Sequence, residues 1–138
     1  MCLDHFLEDL EAEFKELIWR DDPDKLLAES ILRAKSQARE TDTAVQRRSA
    51  GIHELKQRIG FLEEQQARIS EEVGIYLRVS DRANAWRHAL ELDRVRAELG
   101  VARRRVASEE RRRELELGQM HRLEEAISSL QASLCPKR

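Results

Sequence analysis

Four histidines, two cysteines and 27 carboxylates are the side chains of this 138-residue chain that could catalyse a reaction or hold a metal. Donors one helical turn apart, or a Cys-x-x-Cys pair, converge on one point and so make a metal site. His5, His53, His88 and His121 are scattered instead. No His-Glu-x-x-His, Glu-x-x-His or Cys-x-x-Cys occurs. The sequence also lacks a phosphate-binding glycine loop and a nucleophile elbow. So many carboxylates on helices include close pairs by chance. Without a concave pocket to desolvate them, they do not become a general acid and base. The expectation is a protein that is not an enzyme, with no catalytic residue, metal or cofactor.

Two groups of charges could still carry function. Arg103-Arg104-Arg105 and Arg111-Arg112-Arg113 could track phosphates. Glu98, Glu109, Glu110 and Glu114 interleave with them, and no aromatic stands among them to stack on bases. A solvated or salt-bridging assembly face is the better reading, and nucleic acid is not an expected partner. The second group is Arg48, Glu109, Arg113 and Glu116, which fall in adjacent layers of the heptad seam described next. It reads either as a buried ion cluster that fixes register or as a splayed region whose side chains snorkel to water.

The elements that would position these residues are long helices. Charged residues make up 38% of the chain and aromatics 4%, with five glycines and two prolines, a coiled-coil profile. The 41% hydrophobic content is too high and too regularly spaced for disorder. Cys2 and Cys135 lie near opposite ends and make no disulfide framework, so a reducing compartment is expected. No apolar run approaches the length of a membrane span, and no export signal is visible.

Residues 1–22 form the first region. Leu3, Phe6, Leu7, Leu10, Phe14, Leu17 and Ile18 recur at steps of three and four, so a short amphipathic helix is expected, ending near Trp19. This region is acidic, with Asp4, Glu8, Asp9, Glu11, Glu13, Glu16, Asp21 and Asp22 against Lys15 and Arg20. Pro23 ends it and suits the first turn of the next helix, with Asp22 as its cap.

Residues 23–135 form the second region, an antiparallel coiled-coil hairpin. One heptad register takes Leu27, Ile31, Ala34, Ala38, Thr41, Val45, Arg48, Ile52, Leu55, Ile59, Leu62, Gln66, Ile69, Val73 and Tyr76. It fails near Ser80. A second, out of phase, takes Ala85, His88, Leu92, Val95, Leu99, Ala102, Val106, Glu109, Arg113, Glu116, Met120, Leu123, Ile127, Leu130 and Leu134. The phase break predicts a reversal at 79–82, with Ser80 or Asp81 as N-cap. Facing residues then have a constant sum of numbers: Leu62 faces Leu99, Ile59 faces Ala102, Ala38 faces Leu123, Ala34 faces Ile127 and Leu27 faces Leu134. Each arm would be about 80 Å long. The turn lacks Gly and Pro, so a single continuous helix that pairs only in an oligomer is the rival reading. Gly51, Gly60, Gly74, Gly100 and Gly118 inside the arms fit bending, close helix contact or drift equally well.

The apolar face of the first helix, with Phe6, Phe14 and Trp19, could lie on a bilayer, dock in a protein groove or fold onto its own hairpin. The whole layout resembles the phage-shock-protein-A family, whose plastid relative is the vesicle-inducing protein, within the ESCRT-III-like superfamily. The resemblance is carried by the first helix, by Asp22-Pro23-Asp24-Lys25-Leu26-Leu27 and by Asp81-Arg82-Ala83-Asn84-Ala85-Trp86-Arg87-His88-Ala89-Leu90 at the tip. These look like the family's Asp-Pro-x-Lys-Leu and Glu-Asp-Leu-Ala-Arg-x-Ala-Leu. The resemblance implies a cytoplasmic protein, peripheral at the inner membrane, that self-assembles and maintains or remodels membranes under envelope stress. It implies a membrane-facing set of Phe6, Leu7, Leu10, Phe14, Leu17 and Trp19, and an AAA+ activator as a further partner. Relatives continue into further helices, so a reduced paralogue, a regulator or a fragment is expected. The alternative is a soluble adaptor, such as a secretion-apparatus stalk or an ATPase regulator.

Overall fold

A computed structural model describes residues 8, 9, 12 and 23–134. Two helices account for the long stretch: α1, Pro23–Arg78, and α2, Arg82–Leu134. They form an all-α antiparallel hairpin. Apart from Glu8, Asp9 and Ala12, the amphipathic helix expected over Leu3–Trp19 lies outside the described residues, as do the Asp22 cap and the Leu134 side chain.

The hairpin divides into two packed units, one spanning Arg48–Arg112 and one combining the chain up to Arg47 with that from Arg113. In the latter, Leu27, Ile31, Ala34, Leu123 and Leu130 make a buried cluster, with Leu26, Ala38 and Ile127 packed against it. The expected small-against-large pairs Ala34 with Ile127 and Ala38 with Leu123 lie in this cluster. Thr41 is buried in the seam, and its hydroxyl donates to the Gln37 carbonyl at 2.9 Å. That bond supplies the partner a buried hydroxyl requires.

In the unit holding the reversal, Leu62, Ile69, Leu92, Val95, Leu99 and Ala102 form the core, and Ile59 and Val73 pack on it. A fully buried leucine such as Leu62 contributes about 2 kcal/mol. Ion pairs cross between the helices beside this core: Arg58 to Glu98 at 3.5 Å, Arg103 to Glu63 at 2.9 Å and Lys56 to Glu110 at 3.1 Å. Their side chains are largely in water, where such a pair is worth about 0.2–1 kcal/mol. Their value is register, since they bracket the facing pairs Leu62 with Leu99 and Ile59 with Ala102.

The reversal uses a device with no signature in the composition. Ser80 takes a left-handed conformation, φ 61°. Its N–H donates to the Leu77 carbonyl at 3.1 Å, and the Asp81 N–H to the Tyr76 carbonyl at 2.9 Å. This pattern is a Schellman motif, which satisfies the last carbonyls of α1 and turns the chain out of the helix. Glycine usually fills that position, and a serine does here. Asp81 then caps α2, its Oδ1 accepting from the Asn84 N–H at 3.2 Å.

Candidate functional site

The residues singled out for function fall into three places. The first set, Leu3, Phe6, Leu7, Leu10, Phe14, Leu17, Ile18 and Trp19, lies outside the described residues.

The polar layer is the second. Arg48 Nη1 donates to Glu109 Oε2 at 2.6 Å, across from α1 to α2, with about a quarter of each side chain exposed. A charge-assisted bond of this length between half-buried groups is a cross-helix lock. Breaking one partner would leave the other charge poorly solvated. Arg113 and Glu116 belong to the other unit, where they are half-buried and neither lacks a partner.

The tip is the third. Ser80 and Asp81 make the reversal itself. Behind it, His88 ties the helices together. Its Nδ1 faces the Asn84 carbonyl at 2.8 Å and its Nε2 the Glu72 carboxylate at 3.3 Å. The Tyr76 ring packs on the imidazole with centroids 4.8 Å apart. Trp86 stands out from this lock with 68% of its surface exposed. A tryptophan in water is a poor use of its large apolar area unless something covers it.

The tip also carries residues that periodicity alone passes over. Ile75, Leu77, Val79 and Leu90 are also exposed large apolar side chains, and Val101 lies further along α2. The available signal was subtraction: these are among the apolar residues left over once both heptad seams are assigned, as Leu32, Phe61, Leu115 and Leu117 are elsewhere. Arg78, Arg82, Arg87 and Arg94 are exposed around them.

Among the described residues no group of histidine, cysteine and carboxylate side chains could hold a metal ion, and no helix is long and apolar enough to cross a membrane. Exposed carboxylates, Glu71, Glu91 and Asp93, stand among the arginines around the apolar side chains of the tip. No protein family, curated protein or solved structure matches this chain.

Proposed function

We propose that the chain is a contact-making hairpin that associates with membrane surfaces and with its own copies. It would act in membrane maintenance or remodelling under envelope stress, as a cytoplasmic protein peripheral at the inner membrane. The observation that supports this reading is where the two resembling motifs fall on the hairpin. α1 opens at Pro23 within the Asp-Pro-x-Lys-Leu-like stretch, and α2 opens at Arg82 within the tip motif. The phage-shock layout has the same order and almost the same spacing. Among the described residues the seam between two helices has no third layer to close over a substrate, and binding is the activity proposed.

Flotation with liposomes of graded anionic content tests it. The wild type should rise with the vesicles, and Phe14→Asp should stay at the bottom, because a charge on the apolar face opposes insertion. If neither rises at any lipid charge, the membrane reading is lost.

A second reading, a soluble coiled-coil adaptor or AAA+ regulator, is favoured by the acidity of residues 1–22. Eight acidic residues there work against attachment to an anionic surface. A wild type that never floats but retains a protein partner through residues 3–19 would support it.

A further inference from the structure

The arginine runs of α2 separate into paired and unpaired side chains. Over residues 97–112 the helix holds three carboxylates, Glu98, Glu109 and Glu110. All three are drawn across to α1, by Arg58, Arg48 and Lys56 in turn. Arg103 is drawn across as well, by Glu63. Arg104, Arg105, Arg111 and Arg112 remain exposed, and none of them makes an ion pair among the described residues. The seam sets their direction. Leu99, Ala102 and Val106 are buried against α1, so Ala97, Val101, Arg104, Ser108 and Arg111, each two residues from a seam position, face outward. Arg105 and Arg112 stand beside that ridge. The outward half of α2 over this stretch thus presents guanidinium groups and no carboxylate. Asp93 and Glu114 are exposed just beyond its two ends, and Glu54 and Glu64 are exposed on the stretch of α1 across the seam.

Two arginine pairs two turns apart, about 10.5 Å, make a row of positive charge on a rigid element. A convex helix face does not enclose a small anion, so the row suits an extended surface of negative charge. A polynucleotide and an anionic bilayer are the surfaces of that kind. No aromatic stands among these arginines for bases to stack on. The same ridge instead carries Val101, 57% exposed, and continues toward the reversal through Leu90 and Trp86, 56% and 68% exposed. Between Leu90 and Ala97, Glu91 and Asp93 balance Arg94 and Arg96, all four exposed. Tryptophan and aliphatic side chains on one ridge with arginines suit the boundary between headgroups and acyl chains. The observations therefore favour the bilayer.

We propose that the outward face of α2, through Arg104, Arg105, Arg111 and Arg112, seats the hairpin on an anionic bilayer surface. This contact rests on the membrane association proposed above and deepens it. Residues 1–22 bring apolar side chains to that association but carry the wrong charge for an anionic surface. The α2 face supplies the charge, and the two contacts act together.

The test is flotation of the full chain with zwitterionic vesicles and with vesicles containing phosphatidylserine. A variant with Arg104→Gln, Arg105→Gln, Arg111→Gln and Arg112→Gln keeps good helix formers at exposed positions, and circular dichroism checks that the helices are intact. Wild type should bind more tightly as the phosphatidylserine content rises, and high salt should remove that gain. The glutamine variant should bind the anionic vesicles at least about tenfold more weakly and the zwitterionic ones as wild type does. Phe14→Asp should lose both kinds of vesicle. The matching lysine variant should keep most of the wild-type affinity, because a headgroup layer reads charge rather than the fork of a guanidinium. A wild type that floats beside a glutamine variant that floats equally well at every anionic content overturns the proposal and leaves the membrane reading standing. A wild type that floats with neither kind of vesicle removes both. Lysines that fail as glutamines do would mean a partner with fixed acceptor geometry, and overturn the bilayer assignment. So would a glutamine variant that loses binding to a DNA duplex while floating as wild type does, which would assign the face to nucleic acid.

Discussion

Ser80 shows how much rests on one side chain. Its left-handed backbone suits glycine, and an L-residue there costs about 1 kcal/mol. Ser80→Gly should therefore raise stability by about 0.5–1 kcal/mol, seen as a higher urea midpoint with an unchanged slope. An unchanged or lower midpoint would mean that serine makes up the difference through contacts of its own. Turn composition left this residue invisible, because the reversal contains no Gly or Pro. Only the break in heptad phase pointed to it. The division of labour between Ser80 and Asp81 was also open in the sequence, where either could cap α2. The backbone hydrogen bonds assign Ser80 to the end of α1 and Asp81 to the start of α2.

The helices themselves were legible in detail. Every position of the first register from Leu27 to Tyr76, and of the second from Ala85 to Leu130, is buried or half-buried. Steps of three and four express this directly, since only those positions face a partner helix. The flanks were less legible. Ser30 is buried although it lies beside the seam rather than in it, and heptad phase has no term for what covers a flank. The glycines, ambiguous in the sequence, can now be sorted. A Cβ at Gly51, Gly60, Gly74 or Gly118 would meet nothing within 4 Å, so close helix contact does not require them. Alanine at Gly51, Gly60 or Gly118 should stabilise the hairpin by about 1 kcal/mol each, nearly additively for such distant sites. Thermal unfolding of the triple variant checks this. A melting temperature no higher than wild type would mean that the arms need glycine to bend.

At the scale of the molecule, an apolar pattern identifies the surfaces that face inward and is silent about those facing outward. That is why the hairpin could be read from residue types, while the exposed Ile75, Leu77 and Leu90 became visible only once the seams had claimed their own residues. The pairing scheme has a kinetic consequence. Tyr76 and His88 are near neighbours in the chain, whereas Leu27 and Leu130 are separated by almost all of it. Loop closure costs less entropy for the first pair, so the hairpin should zip from Ser80 outward during folding. Stopped-flow chevrons would then show Leu92→Ala mainly slowing refolding and Leu123→Ala mainly hastening unfolding. The opposite pattern would mean that the chain ends find each other first. In a nascent chain, the zipper can start only once Arg82 and the residues after it have left the ribosome, so α1 must wait for its partner.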